Sequence, residues 1–434
     1  MSENTPNLNL KFVMQNQSQK EVTVNEALLV LDMIHNNGAI SIGETTPPAS
    51  PNDADMYIIG TVATGDWSGK DWQLAYYYTG KGWQFITPKE GLSLWVQSEK
   101  KTHIYTGNNW ARLSCKNRNL LINGDGIVAL RNNTFSAVNN DTYTLDRWLV
   151  LSDGNGVIDI AQELSDIPVR SRSAIKSTAV TAAKKFGIMQ IIENKNCSYI
   201  DKVSLSFKAK GDVSNIRVAI LAWDGTADSL TSDAVSAWEN AGTNPTLATN
   251  WSYKNTPADI SITSSYQTIK VENVWVSGSE NLAVFIWVDE ATTTGDELYI
   301  FDVQLEQGEG ATGFEIREIA EEFALCERYF QKSYNIGVFA GTATVTGAEE
   351  SYISGVNNAD YTIKHTVKFP AAMRKDPTVT AYSTDGTSAK VAVSAGNVTP
   401  SITASENGAV VSATNGASAT DRKIAFHYIA DGEL

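Results

Sequence analysis

The 434-residue chain reads as a mainly β, modular protein, and three observations predict this. Stretches such as Val203, Leu205 and Phe207, or Leu282, Val284, Ile286 and Val288, place apolar side chains at every second position, the period of a strand. Glycine turns punctuate the strands, as in Tyr78-Thr-Gly-Lys-Gly-Trp83 and Tyr105-Thr-Gly-Asn-Asn-Trp110. Helical spacing is confined to two short stretches, one near Thr23 and one after Glu318. At ~100–200 residues per domain the length fits about three domains.

Residues 1–38 read as an attachment or docking element, an arm followed by a helix. Residues 1–20 are rich in Asn and Gln without periodicity, so the arm gains order only against another surface. In the helix, Thr23 and Glu26 form a capping box, while Val24, Ala27, Leu28, Leu31 and Ile34 share one apolar face. Asn36, Asn37 and Gly38 supply the stop. Such a face serves either to dock or trimerise, or to cover the next domain. Thr45 to Pro51, TTPPASP, excludes both helix and central strand and predicts a turn or linker.

Residues 39–114 form a small aromatic-rich β domain. Its two Tyr-Thr-Gly-x-x-Trp segments predict hairpins with aromatics paired across them. Trp67, Trp72, Trp83, Trp95 and Trp110 could make a sugar platform, but a domain this small needs such rings for its core. Residues 115–314 carry the longest run of strand patterns and predict a two-sheet sandwich, with Val218, Ile220 and Ala222 adding another strand. Trp148 and Trp287 lie in apolar patterns and are assigned to its core. The polar connection from Trp223 to Tyr266 is long for a compact domain, which marks it as the place where recognition is expected.

Residues 315–334 form a short connecting helix. It follows a strand over Leu298 to Leu305, whose Leu298, Ile300, Val303 and Leu305 face inward. Ile319, Phe323, Cys326 and Phe330 then recur at helical spacing on one side. About 13 residues is too short for a helix to stand alone in water, so this seam packs either on its own domains or on copies of itself from other chains. Residues 335–434 form a C-terminal β domain rich in Gly, Ala, Ser, Thr and Val, with strands over Thr362 to Phe369 and Thr378 to Tyr382. Small side chains give thin cores, for which association of chains is the natural remedy, and a homotrimer is expected with Ile319, Phe323, Cys326 and Phe330 as its seam.

Three segments resemble known families. Val303-Gln-Leu-Glu-Gln-Gly308, Ala311-Thr-Gly-Phe-Glu315 and Glu321-Glu-Phe-Ala-Leu-Cys-Glu-Arg-Tyr-Phe-Gln-Lys332 resemble the end of a jelly-roll module common in bacteriophage tail fibre proteins. Asn119-Leu-Leu-Ile-Asn-Gly124, Thr144-Leu-Asp-Arg-Trp148 and Val203-Ser-Leu-Ser-Phe-Lys-Ala-Lys-Gly211 extend the resemblance over 119–334. Gln17-Ser-Gln-Lys20, Val24-Asn-Glu-Ala27, Pro47-Pro-Ala-Ser-Pro51 and Lys89-Glu-Gly91 resemble an N-terminal domain of unknown function of phage tail and gene-transfer-agent proteins. Phe369-Pro-Ala-Ala-Met-Arg-Lys-Asp-Pro-Thr-Val379 and the closing Phe426-His-Tyr-Ile-Ala-Asp-Gly-Glu-Leu434 resemble a C-terminal β domain of such fibres. The resemblance implies a jelly roll of the carbohydrate-binding-module kind in a virion protein, made in the bacterial cytoplasm and acting outside the cell.

Within that frame Trp223, Trp238, Trp251 and Tyr253 are the glycan candidates, because they stand among Asp, Asn, Ser and Gly rather than inside alternating strands. The implied partners are copies of the chain, other virion proteins through the arm, and a host surface glycan. The rivals are a head or collar fibre without ligand and a glycan-degrading tailspike.

Other chemistries are weakly supported. A formal net charge of −15 and no basic cluster argue against nucleic acid. No stretch approaches the ~18 apolar residues of a membrane span, and the opening MSENTPNLNLKF lacks the pattern of a Sec leader. Cys115, Cys197 and Cys326 are too few and too dispersed for a disulfide framework or zinc site. Gly308, Gly310 and Gly313 spell GxGxxG after a strand, but Glu306 and Glu309 would repel a pyrophosphate, so a loop is expected. Asp153, Asn155 and Asp159 imitate part of a calcium loop whose first and last ligand positions would be Leu151 and Gln162; a glycine hairpin is expected instead. His35, His103, His365 and His427 stand apart, and no HExxH or GxSxG occurs. No cofactor or metal is expected, and the chain reads as non-enzymatic.

Overall fold

The computed structural model of the protein describes residues 18–35, 38–112, 118–354, 361–414 and 421–434. Most of the expected arm, the helix stop at Asn36 and Asn37, Cys115 and the boundary at 114 lie outside the described residues. The chain is mainly β and divides into two compact units, Met1–Cys115 and Lys116–Leu434.

In the first unit the helix Lys20–His35 begins a turn before Thr23, so Thr23 and Glu26 sit inside it rather than at its cap. The inward side carries buried Thr23 with half-buried Ala27 and Val30, whereas Val24, Leu28 and Leu31 are exposed. The surface it meets explains this rotation: Tyr76, Gln84 and Ile86 stand beside Lys81, which pairs with Glu26 at 3.8 Å, and a mixed surface takes a mixed stripe.

Strands Ile42–Glu44, Met56–Ile59, Leu74–Tyr78 and Gly82–Ile86 form one sheet, and Ser93–Val96, Lys101–Tyr105 and Trp110–Arg112 another. Both expected hairpins are present. Tyr105 opposes Trp110, but the first hairpin is offset, with Tyr77 opposite Trp83, because Gly82 (φ 71°) is already paired with Tyr78. Trp67 and Trp83 meet edge to face at 5.1 Å and Trp110 donates to the Trp72 carbonyl at 2.9 Å, so these rings build the core; Trp95 is exposed.

In the second unit two antiparallel sheets stack as a jelly-roll sandwich. Sheet A runs, in spatial order, Trp251–Tyr253, Asn215–Trp223, Asn281–Val288, Phe186–Ile192, Leu149–Ser152 and Thr142–Tyr143, with Ile260–Ser261 also on Asn215–Trp223. Sheet B runs Gln267–Trp275, Lys202–Gly211, Glu297–Gln307, Ala174–Ala179, Ile158–Glu163 and Thr134–Val138. The alternating residues do face one another between the sheets: Val203, Leu205 and Phe207 from sheet B, and Val218, Ile220, Val284 and Ile286 from sheet A, share one core with Trp148. The strand Glu297–Gln307 keeps Leu298 and Ile300, then Val303 and Leu305, inward because an irregularity in its pairing with Lys202–Gly211 absorbs Asp302, whose φ is 51°. Asp153 to Asp159 is not a hairpin, since the strands on either side belong to different sheets. Its carboxylates bind neighbouring segments instead: Asp159 accepts from the Ala137 amide at 2.7 Å and Asp153 pairs with Lys184 at 3.3 Å.

The sequence landmarks act as staples. Asn119 donates to the Val303 carbonyl and accepts from the Leu121 and Leu305 amides; Asn123 accepts from Val128, and Trp148 donates to the Asn123 carbonyl. Gly124 is required there, as a Cβ would lie 2.2 Å from the Val303 carbonyl oxygen.

The helix Ile319–Glu327 is shorter than expected, and Phe330 lies beyond it in the strand Phe330–Lys332. Cys326 and Phe330 are buried and Phe323 half-buried against Ile122, Val128 and Leu130 of the same chain, while Ile319 is exposed. Three of the four seam residues, Phe323, Cys326 and Phe330, thus pack within their own chain. The long strand Asp421–Asp431 pairs with Phe330–Lys332, Glu349–Ser354, Thr378–Tyr382 and Val391–Val393, and Thr362–Lys368, Ser401–Ser405 and Gly408–Thr414 form the facing sheet. Beyond it the chain returns to the jelly roll. Arg131 pairs with Asp431 at 2.6 Å and Glu433 at 3.3 Å, and buried Arg147 pairs with Glu433 over the Tyr329 ring, 3.5 Å from its centre. The boundaries expected at 314 and 334 thus fall inside one compact unit.

Candidate functional site

The outer face of sheet A is occupied by the chain itself. Trp223, Trp251, Phe285 and Trp287 cluster there with Ala234 and Val235 of the following connection, and with half-buried Trp238, Tyr253 and Leu434. Trp223 and Trp251 are each 6% exposed. Their indole N–H groups donate to the carbonyls of Thr226 and Thr231, both at 3.0 Å, and the Tyr253 hydroxyl donates to the Pro245 carbonyl at 2.7 Å. Trp238 meets Phe285 edge to face at 6.0 Å. Polar surroundings in the sequence suggested rings projecting from a loop. Instead Trp223, Trp251 and Tyr253 stand on strands of sheet A and hold carbonyls of the covering connection, while Trp238 of that connection packs on Phe285. The four candidates come together, but as a plug rather than a stacking surface.

The outer face of sheet B is different. Because Leu298 and Ile300 point inward, Tyr299 and Phe301 point outward. Lys210 is directly opposite Tyr299 on one neighbouring strand and Lys176 on the other. A ladder results that crosses the strands: Tyr266, Lys210, Tyr299, Lys176. The Lys210 ammonium lies 4.6 Å from the Tyr266 ring centre and 4.7 Å from that of Tyr299, and Lys176 lies 5.2 Å from Tyr299. Tyr266 also meets Phe301 edge to face at 5.0 Å and keeps 37% of its surface exposed.

Each ammonium in this ladder has a carboxylate. Lys176 pairs with Glu297 at 2.5 Å, Lys208 with Asp302 at 2.7 Å, and Lys210 with Asp166. The tyrosine hydroxyls join in, Tyr266 donating to Asp166 at 2.8 Å and Tyr299 to Glu297 at 2.6 Å, while the Ser171 hydroxyl reaches Asp302 at 2.7 Å. Hydrogen bonds from Lys210 and Tyr266 hold the Asp166 carboxyl below the ordinary range. Partial burial would raise Glu297, but hydrogen bonds from Lys176 and Tyr299 outweigh it and the group also lies low. Burial likewise opposes the charge of Lys176 and Lys210, yet their carboxylate partners lift both above the usual lysine value. Asp166, Glu297, Lys176 and Lys210 are thus held in their charged forms, which suits fixed hydrogen bonding to hydroxyls and not proton transfer near neutrality.

The alternation in the sequence marks one face of these strands as core and leaves the other face without a role. The missed signal is phase: Tyr299 and Phe301 alternate with Leu298 and Ile300, and Lys208 and Lys210 with Phe207 and Ala209, so one strand face is core and the other aromatic and charged. His365 and His427 are similarly engaged. His365 accepts or donates at both ring nitrogens, to Ser351 and to Glu349, each at 2.8 Å, bridging the strands Glu349–Ser354 and Thr362–Lys368. His427 sits between the Ser333 hydroxyl at 3.0 Å and the Thr344 carbonyl at 3.1 Å. Gly308 to Gly313 is a loop; Thr312 inside it donates to Glu306. Among the described residues no group of three or more His, Cys, Asp or Glu side chains is placed to hold a metal, and no helix is long and apolar enough to cross a membrane.

Comparison with known proteins adds the following. Residues 24–111 match the family described as Protein of unknown function (DUF2793). No curated protein matches the chain in sequence. Among solved structures, the enzymatically active domain of bacteriophage CBA120 tailspike protein 4 is similar at 11% identity and a TM-score of 0.30, over 44% of this chain and 21% of that one. This chain thus spans about a fifth of that tailspike domain's length. TmCBM61 in complex with β-1,4-galactotriose is similar at 13% identity and a TM-score of 0.27, over 44% of this chain and 99% of that one. The CBM22-1 xylan-binding domain of Paenibacillus barcinonensis Xyn10C is similar at 11% identity and a TM-score of 0.25, over 42% and 100%.

Proposed function

We propose that the chain is a structural virion protein, a tail fibre or appendage, whose jelly roll binds cell-surface glycans through the outer face of sheet B. The observation that carries the binding reading is the ladder of Tyr266, Lys210, Tyr299 and Lys176, in which the Tyr266 ring keeps 37% of its surface exposed beside fixed donors and acceptors, with the nearly covered Tyr299 supporting the lysines. The motif order over 119–334 supports the virion assignment by resemblance. The protein works as a homotrimer that attaches to other virion proteins through its N-terminal arm, and it acts on the host outside the cell in which it is made. Binding, not turnover, is its role: glycoside hydrolysis needs one carboxyl raised to act as acid, whereas Asp166, Glu297 and Glu163 are all held low.

An array of bacterial surface polysaccharides probed with the full chain tests this. Binding should fall at least tenfold in Tyr266→Ala and in Tyr299→Ala, and no reducing ends should appear. A folded chain that stays silent across host polysaccharides favours a head or collar fibre without ligand, and released reducing ends favour a glycan-degrading tailspike.

A further inference from the structure

We infer that the face of sheet B selects uncharged glycans and rejects those bearing carboxylate, phosphate or sulfate; the inference rests on the glycan-binding reading above. Three ammonium groups on one face would ordinarily invite an acidic ligand. Here each one is already committed: Lys176 to Glu297, Lys208 to Asp302 and Lys210 to Asp166. Glu163 adds a further carboxylate at the margin, where it accepts from the Ser165 hydroxyl and the Ser165 and Asp166 amides. Counted over these side chains, three cations face four anions.

An acidic sugar must therefore take a lysine from its partner and leave a protein carboxylate facing the ligand's own charge. Asp302 is the costliest to strand, because its side chain is only 4% exposed and cannot turn out to water. A sugar hydroxyl meets no such conflict. It donates to the carboxylate and accepts from the ammonium of one intact pair, and the exposed part of the Tyr266 ring lies beside the Lys210–Asp166 pair. The low carboxyl and high lysine pKa values keep the pairs ionised through the physiological range.

The test is a panel of bacterial capsular and O-antigen polysaccharides sorted into those without charge and those carrying uronate, sialate or phosphate, probed with the full chain at low and high salt. Retention by uncharged members, changing less than twofold between about 0.05 and 0.5 M salt, is the expected result. The double variant Asp166→Asn with Glu297→Gln frees Lys210 and Lys176, and it should gain at least tenfold in binding to acidic members, with the gain lost at high salt. Wild-type retention confined to acidic members overturns the inference while leaving glycan binding intact. Retention by no member overturns both.

Discussion

The two outer faces of the jelly roll carry similar residues to opposite ends. On sheet A, Trp223, Trp251 and Tyr253 use their polar atoms on carbonyls of the segment that covers them, so aromatic surface becomes interior. On sheet B, Tyr266 and Tyr299 use theirs on carboxylates; the Tyr266 ring keeps 37% of its surface exposed, while Tyr299 is nearly covered, with Lys210 and Lys176 against its ring. Among these rings only Tyr266 combines a charged side-chain partner with open surface, so the polarity of a ring's sequence neighbours does not decide its availability.

The contrast breaks most readily by truncation. Trp251→Ala empties a buried site on sheet A and should cost about 3–5 kcal/mol of unfolding free energy in urea. Tyr266→Ala, on the exposed face, should cost about 1 kcal/mol or less while abolishing ligand retention. If the two losses prove equal, the distinction between plug and platform fails.

Phe330→Ala should cost about 3 kcal/mol for the same reason as Trp251, and the concentration dependence of its unfolding midpoint should match that of the wild type, because the side chain packs on Ile122, Val128 and Leu130 of its own chain. A concentration-dependent midpoint for the wild type that disappears in this variant would show the seam to be shared between copies.

The smallest expected effect is that of pH. Asp166 and Glu297 have lowered folded pKa values, so their contribution is fully present above the unfolded carboxylate value of about 4 and fades as pH falls through the lowered folded value. Lys176 and Lys210 have raised values, so theirs persists below the unfolded lysine value of about 10.4 and fades only above it. Ligand binding should consequently be flat between about pH 5 and 9. A transition near neutrality, measured by titration calorimetry, would point to a histidine or another group outside the ladder.

Much of this architecture was legible because strand period is a local property. Val203, Leu205 and Phe207, and Leu282 through Val288, needed no tertiary information, and Thr378–Tyr382 is a strand with the bounds its sequence suggests. Helices were less legible. The N-terminal helix presents a mixed stripe because of the hairpin beside it, and the spacing of Ile319, Phe323, Cys326 and Phe330 runs past the helix end at Glu327 into a strand. The site was hidden for another reason. Lys176, Lys210, Tyr266 and Tyr299 come from four places in the sequence, and only the register of sheet B sets them in a row.

Hydrogen exchange of the full chain with and without a bound polysaccharide tests the assignment of the binding face most directly. The account predicts added protection in Lys202–Gly211, around Tyr266 and in Glu297–Gln307, with residues 224–259 unchanged. Protection confined to 224–259, with the strands of sheet B unaffected, would contradict it and return recognition to the long connection over sheet A.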